Sequence, residues 1–171
     1  MTRMSFRSLS ALGFLACAGG IAFALYLQHY RNFEPCPMCI FQRIAMIGAG
    51  LVFLLGALHG PAGGGRWVYA LLAALAAGIG GGIAGRQVWL QSLPADQVPA
   101  CGPTLDYLMK MMPWQKLITY VLKGEGSCAK IDAQWLGIAL PEWTLFGFIG
   151  FVLFALAMPV LARRVSRYNS F

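Results

Sequence analysis

Residues 36–58 read CPMCIFQRIAMIGAGLVFLLGAL, a Cys-x-x-Cys pair followed directly by a long apolar run that begins at Ile40. A helix needs about 20 residues to span roughly 30 Å of hydrocarbon, so the run predicts a membrane-spanning helix. A Cys-x-x-Cys pair is a redox or metal motif. Its position predicts that the two thiols lie at the mouth of that helix, where they can exchange electrons with a molecule in the lipid.

The composition of the whole chain supports a membrane protein. Of its 171 residues, 58% are hydrophobic and only 11% are charged, whereas soluble domains carry about 25% charged residues. Four stretches are long enough to span a bilayer: 9–27, 40–58, 67–85 and 143–161. We therefore predict an all-α membrane protein, a four-helix transmembrane bundle in a single membrane domain over 1–171.

Basic residues predict the orientation of this bundle. With four spans, segments 1–8, 59–66 and 162–171 share one side, and that side carries six arginines and no acidic residue: Arg3, Arg7, Arg66, Arg163, Arg164 and Arg167. All six acidic residues fall in 28–39 and 86–142, on the other side. We expect a multi-pass protein of the bacterial inner membrane, with cytoplasmic termini and periplasmic cysteines. The net charge of +7 flanks spans and forms no patch, which disfavours nucleic-acid binding.

The first span has some features of a cleavable signal peptide, since Arg3 and Arg7 precede an apolar run that contains Ala16-Cys17-Ala18. The run continues to Leu27, which favours an uncleaved span. Cys17 then lies in mid-span, where we expect a small buried apolar residue.

The large periplasmic loop, 86–142, predicts one or two short amphipathic helices on the outer leaflet. Its apolar residues recur at roughly helical spacing, interrupted by Pro113: Leu105, Leu108, Met109, Met112, Leu117, Ile118 and Val121. We expect the loop methionines to face lipid.

Glycines in the third span predict close helix packing. The pairs Gly78/Gly82 and Gly81/Gly85 both have the small-x-x-x-small spacing that lets helices approach. No strand precedes these glycines and no lysine follows them, which disfavours a phosphate-binding loop.

Four cysteines fall on the predicted outer side: Cys36, Cys39, Cys101 and Cys128. Disulfides persist on that side, and four cysteines allow three pairings. The economical one joins Cys36 to Cys39 and Cys101 to Cys128, although the pairing at rest can differ from that in turnover. A Cys101–Cys128 bond is also compatible with a structural staple worth about 3–4 kcal/mol. Zinc is disfavoured, because the second pair is not Cys-x-x-Cys, and we expect no metal.

Local context favours redox chemistry for the first pair. Cys36 and Cys39 precede or open a helix, where unpaired N–H groups and the helix dipole favour a thiolate. Arg43 lies one turn deeper on the face of Cys39, and an arginine at that depth is a functional-site candidate. It is placed to stabilise the Cys39 thiolate or to donate to a quinone carbonyl; the alternative is snorkelling to headgroups. Gln42 and Gln87 are further polar groups near the outer ends of spans two and three.

These residues resemble the bacterial disulfide bond formation protein B (DsbB) family over nearly the whole chain. The resemblance rests on six short motifs: Cys36-Pro37-Met38-Cys39-x-x-x-Arg43, Trp89-Leu90-Gln91, Cys101-Gly102-Pro103, Ser127-Cys128-Ala129, Trp135-Leu136-Gly137 and Pro141-x-Trp143. Cys-x-x-Cys alone is unspecific, but its combination with four spans, a second cysteine pair and Arg43 is specific.

The resemblance implies a dithiol:quinone oxidoreductase that generates disulfides. Such a protein re-oxidises a periplasmic thioredoxin-fold dithiol oxidase (DsbA-like) and passes the electrons to a membrane quinone, ubiquinone or menaquinone. By motif, the redox disulfides would be Cys36–Cys39 and Cys101–Cys128. Cys101 would form the mixed disulfide with the partner, and Cys128 would then exchange with Cys36.

The resemblance also implies the quinone-facing residues. Cys39 would face the quinone with Arg43 beside it, and Gln87 is the second candidate quinone-binding residue. Some family members have a histidine at the position aligned with Gln87, and some have an acidic residue in place of Gln42. These departures remove no thiol, but they leave the proton donor to the reduced quinone open.

Two rival functions are compatible with parts of the pattern. One is a four-cysteine quinone enzyme resembling vitamin K epoxide reductase, which is disfavoured because the loop pair here follows the Cys-x-x-Cys span. The other is a structural or transport subunit with a stapled outer loop. It predicts that Cys36→Ser is harmless, whereas a redox relay predicts loss of thiol oxidation.

Overall fold

Seven helices and two short strands make up the part of the chain that the computed structural model describes, residues 5–32, 35–94, 96–100, 102, 105–124, 126–129, 134–135 and 137–168. In chain order they are α1 (Phe6–Tyr30), α2 (Pro37–His59), α3 (Gly65–Gln91), α4 (Leu105–Met111), α5 (Trp114–Lys123), α6 (Gly126–Ala129), β1 (Gln134–Trp135), β2 (Ile138–Ala139) and α7 (Leu140–Tyr168).

The four long helices form a closed bundle. Helix α1 packs on α2, α2 on α3, α3 on α7, and α7 on α1. Each contains a stretch long and apolar enough to cross a membrane. Leucines on the outer surface are more than half exposed, among them Leu15, Leu75 and Leu153, as expected of helices whose solvent is lipid. The predicted four-helix all-α fold is confirmed.

One buried cluster joins helices α1, α2, α3 and α7. It contains Phe6 and Leu9 of α1, Phe53 of α2, Ala73 of α3 and Met158 of α7. Cys17 belongs to the same cluster and is 2% exposed, so the prediction of a small buried residue in mid-span is confirmed.

Helix α3 continues past residue 85, where the predicted span ends, to Gln91. Arg86 was expected to end the membrane part of this span, but it does not interrupt the helix, because the backbone hydrogen bonds remain within the segment. The extra turns carry Gln87, Leu90 and Gln91 to the end of the bundle where α2 begins.

Only part of the predicted glycine packing is present. A Cβ on Gly78 or Gly82 would have no neighbour within 4 Å, whereas Gly80 and Gly81 lie against Phe148 of α7. Ala77 and Ala84 are buried against the same ring. The helical period therefore aligns residues 77, 80, 81 and 84 with α7 and turns Gly78 and Gly82 away from it.

The long loop between α3 and α7 contains the short helices that its spacing predicts. In α5, Leu117 and Val121 are buried while Trp114, Ile118 and Leu122 are exposed. Helix α5 contacts α2, so the buried side of α5 rests on the bundle. That its other side lies in the outer leaflet remains a prediction.

A small antiparallel hairpin precedes the last helix and was not predicted. Strand β1 pairs with β2 in the register Gln134 with Ala139, and Gly137 between them has φ 79°, a conformation that favours glycine. The backbone N–H of Ala139 donates to Glu142 Oε2 at 2.9 Å. This bond satisfies one of the unpaired donors at the start of α7.

Candidate functional site

The Cys-x-x-Cys pair forms the N-terminus of α2. Cys36 is the N-cap residue, with extended backbone, and its Sγ accepts from the backbone N–H of Cys39 at 3.4 Å. Pro37 occupies the first turn, where its missing N–H costs nothing. The two sulfur atoms are 2.9 Å apart. Both thiols therefore lie in the positive field of the helix N-terminus, which stabilises a thiolate.

An amide from α3 contacts both sulfurs. Gln87 is 3% exposed, and its Nε2 donates to the Sγ of Cys36 and to that of Cys39, each at 3.5 Å. Its Oε1 accepts from Gln42 Nε2 at 2.8 Å and from Cys39 Sγ at 3.7 Å. Because Gln42 donates to the oxygen, the Gln87 side chain turns its two donors toward the cysteine pair.

Cys128, which lies far from Cys39 in sequence, is packed against the same pair. It is 1% exposed and lies in an apolar cluster with Met38, Leu90 and Val121, against which Cys36 also packs. Gln91 Nε2 donates to the Cys128 carbonyl oxygen at 3.5 Å. The third thiol is therefore held by α3 and α5 at the start of α2.

Cys36 is in contact with both of the other thiols. At Cys36 the effect of the helix N-terminus is outweighed: hydrogen bonds with Cys128 and with Cys39, together with burial, raise the pKa of its thiol above the ordinary value. A sulfur in contact with two others can share a disulfide with either of them, so Cys36 has the geometry of a branch point between the loop and the Cys-x-x-Cys pair.

Cys101 lies outside the described residues, and so does its predicted pairing with Cys128. Its neighbour Ala100 accepts, at its carbonyl oxygen, a hydrogen bond from the backbone N–H of Gly126 at 3.2 Å. Gly126 opens α6, the helix of Cys128. The chain just before Cys101 is therefore adjacent to the chain just before Cys128.

Arg43 faces α1. Its Nη1 donates to Gln28 Oε1 at 2.5 Å and its Nη2 to the carbonyl oxygen of Ala24 at 3.4 Å. Among the described residues, no hydrogen bond joins Arg43 to Cys39 or to Gln87. The structure thus brings Cys36, Cys39, Cys128 and Gln87 together and directs Arg43 into the adjoining space between α1 and α2.

Three polar residues complete the site without having been predicted as site residues: Gln28, Gln42 and Gln91. Each is an uncharged amide near one end of an apolar helix, at the end of the bundle where α2 begins, and a polar side chain there needs a partner. Helical spacing was a usable signal for two of them. Gln42 lies three residues after Cys39, and Gln91 lies four residues after Gln87, so each shares a face with a predicted site residue.

Comparison with known proteins identifies relatives of this chain. The family model described as "Disulfide bond formation protein DsbB" matches residues 6–158. The disulfide bond formation protein B of Marinobacter nauticus is 50% identical over 163 residues, covering 95% of this chain and 96% of the relative. That of Xanthomonas euvesicatoria is 49% identical over 168 residues, 98% of each chain. That of Stutzerimonas stutzeri is 50% identical over 150 residues, 88% of this chain and 92% of the relative.

Proposed function

Because the chain belongs to the DsbB disulfide bond formation family, we propose that it oxidises the dithiol of a periplasmic thioredoxin-fold oxidase and passes the electrons to a membrane quinone. The observation that carries this proposal is the position of Cys36, whose sulfur is 2.9 Å from that of Cys39 and which packs against the buried cluster that contains Cys128. A relay between two cysteine pairs needs one sulfur that both pairs reach. A stapled structural loop gives no reason for that contact.

The proposed cycle begins at the loop pair. A thiolate of the partner attacks the Cys101–Cys128 disulfide and forms a mixed disulfide with Cys101, which releases Cys128 as a thiolate. The second partner thiolate then attacks the partner's own sulfur in that mixed disulfide. The partner leaves as a disulfide, and Cys101 and Cys128 are left reduced.

The next steps move the electron pair to α2. The Cys128 thiolate attacks Cys36 in the Cys36–Cys39 disulfide, which forms a Cys36–Cys128 disulfide and releases Cys39 as a thiolate. Cys101 then attacks Cys128, which restores the loop pair and leaves Cys36 and Cys39 reduced. The helix N-terminus and the Gln87 amide stabilise the departing Cys39 thiolate.

The residues near Cys39 fit a quinone carbonyl. Arg43 is half-buried at the outer end of α2, and its guanidinium has five N–H donors, of which two are used by Gln28 and Ala24. The remaining donors suit an acceptor oxygen on which negative charge develops. A bound quinone supplies an acceptor for two electrons and two protons, which returns Cys36 and Cys39 to the disulfide. Gln87 remains the second candidate quinone ligand.

We infer that the site faces the periplasm of a bacterial inner membrane. Cys36, Gln87 and Cys128 share one end of the bundle, whereas Arg7 and Arg66 lie at the other, where Arg7 Nε donates to the Ala57 carbonyl at 2.9 Å. The arginine-rich end is expected to be cytoplasmic. The opposite end is then in the oxidising compartment, where disulfides persist.

The proposal is tested by anaerobic turnover of the purified full-length protein with a reduced thioredoxin-fold oxidase, with and without a short-chain ubiquinone or menaquinone analogue. We expect partner oxidation that requires quinone and is lost in Cys36→Ser. Cys17→Ala is the matched control, because Cys17 is buried in the bundle core, and it should retain activity. Partner oxidation that proceeds equally well without quinone, or that continues in Cys36→Ser, contradicts the proposal.

The order of exchange has a separate test. A Cys128→Ser variant holds Cys101 as a free thiol. Mixed with the partner in its disulfide form, it should form a mixed disulfide between Cys101 and the partner, visible on non-reducing gels, because Cys101 attacks the partner disulfide and no Cys128 is present to release the adduct. If no adduct forms while the unmodified protein turns over, the partner does not enter through Cys101.

A further inference from the structure

The last turns of α3 hold the end of α5 through one arginine. Arg86 Nε donates to the carbonyl oxygen of Leu122 at 3.3 Å, and its Nη2 donates to that of Lys123 at 3.2 Å. Leu122 and Lys123 end α5, where carbonyls have no partner within the helix. The Arg86 guanidinium also lies over the Trp89 ring, with Cζ 4.0 Å from the centroid. A single side chain, itself held by an aromatic ring, therefore caps α5.

The capped segment leads directly to Cys128. Gly124 ends α5 with φ 85°, and a Cβ there would overlap Leu90 of α3. Helix α6 then begins at Gly126 and contains Cys128, whose carbonyl oxygen accepts from Gln91. The end of α3 thus contacts the segment that runs from the last carbonyls of α5 to the buried thiol of Cys128.

We propose that Arg86 is a positioning residue for the exchange between Cys128 and Cys36. By fixing the junction of α5 and α6 on α3, its cap keeps the Cys128 thiol within reach of Cys36. The inference rests on the proposed function, because it concerns the step in which Cys128 attacks Cys36. In that step the Cys36–Cys128 bond forms and the Cys36–Cys39 bond breaks. Cys128 attacks as a thiolate and Cys39 leaves as one with the electron pair, so the step needs no proton transfer and no outside oxidant.

Arginine suits this position better than lysine does. The planar guanidinium reaches two carbonyl oxygens at once and stacks on Trp89, whereas an ammonium is a compact point charge. We therefore expect Arg86→Lys to hold Cys128 near Cys36 in part and Arg86→Ala to lose this positioning. If only the positive charge of residue 86 mattered, Arg86→Lys would position Cys128 as well as the native arginine does.

The test measures the proximity of the two thiols directly. In full-length protein carrying Cys17→Ala, Cys39→Ser and Cys101→Ser, the thiols that remain are Cys36 and Cys128. Equilibration with reduced and oxidised glutathione then gives their effective concentration. We expect Arg86→Ala to lower it roughly ten-fold, as for loss of a charge-assisted hydrogen bond, with Arg86→Lys intermediate. Lys116→Ala, which removes an exposed cation of α5, is the matched control and should leave it unchanged.

A second measurement separates positioning from misfolding. In protein with Cys101→Ser and Cys128→Ser, dithiothreitol drives quinone reduction through Cys36 and Cys39 alone. The rate of that reaction should be the same whether residue 86 is the native arginine or carries the Arg86→Ala change. An effective concentration that is unchanged by Arg86→Ala, or a dithiothreitol-driven rate that falls as much as the exchange does, overturns the inference. Failure of the proposed function is distinguishable, because the unmodified protein would then show no quinone-dependent partner oxidation.

Discussion

Replacing Gln87 by Met removes an amide that contacts both sulfurs of the Cys-x-x-Cys pair while it keeps the length of the side chain. The amide donates to Cys36 and Cys39 at 3.5 Å, and a hydrogen bond to a charged group is worth about 1.5–3 kcal/mol. Only the bond to the departing Cys39 thiolate changes in the exchange, so the loss is about 1.5 kcal/mol, or about ten-fold at equilibrium. The rate constant of exchange changes by only part of the change in the equilibrium constant, so we expect exchange to slow about three- to ten-fold.

The assay is a single turnover without quinone, quenched in acid and resolved by mass spectrometry of the alkylated cysteines. Gln87→Met should slow the appearance of the Cys36–Cys128 disulfide. Gln42→Met should slow it less, and should have no added effect in a Gln87→Met background, because Gln42 acts by orienting the Gln87 amide.

The same variant separates two roles for Gln87. If the Gln87 amide stabilises the cysteine sulfurs, Gln87→Met slows exchange and leaves the apparent KM for quinone unchanged. If Gln87 is a quinone ligand, the KM rises and single-turnover exchange is unaffected. The second result would refute the reasoning from the sulfur contacts, and equal additive effects of Gln42→Met and Gln87→Met would refute the orienting role of Gln42.

Three further predictions concern other parts of the molecule. Arg43→Ala should raise the apparent KM for quinone about ten-fold in steady-state assays without slowing exchange; an unchanged KM contradicts the assigned role. Gly80→Ala should lower stability by about 1–3 kcal/mol, because its Cβ would overlap a buried ring of α7, while Gly78→Ala, in open space, should not; thermal unfolding in detergent compares them. In the reduced protein, the raised pKa of Cys36 keeps that thiol protonated above about pH 8.5, where an ordinary cysteine ionises, so iodoacetamide should label it slowly at that pH. Cys128→Ala removes the hydrogen bond that contributes most to the raised pKa, so it should speed labelling.

Much of the architecture was predictable because lipid imposes simple requirements. Each spanning segment must satisfy its own backbone and expose apolar side chains, so the four helices are visible in the sequence as apolar runs. The N-cap position of Cys36 was predictable for a similar reason, since Pro37 marks the first turn of a helix. Local chemistry sufficed wherever the interacting groups are neighbours in the chain.

Prediction was less complete where the partner lies on another helix. The spacing in α3 indicated close packing but not which glycines face α7, because a hydrophobic span leaves its rotation about the axis undetermined. The predicted proximity of Arg43 to Cys39 follows from helical spacing, yet the guanidinium hydrogen-bonds to Gln28 and Ala24. A long side chain can reach either neighbouring helix, and spacing does not choose between them.

By itself, the sequence determined that this is a four-span membrane protein of the DsbB family with thiols at the mouth of its second helix. Only the tertiary structure decided that the Gln87 amide contacts both sulfurs, that Cys128 packs against Cys36, and that Arg86 donates to the last carbonyls of the helix leading to Cys128. The physical reason is that apolar patterning specifies which residues enter the membrane, whereas hydrogen bonds between helices depend on their relative rotation and depth. Those are set by packing among all four helices at once.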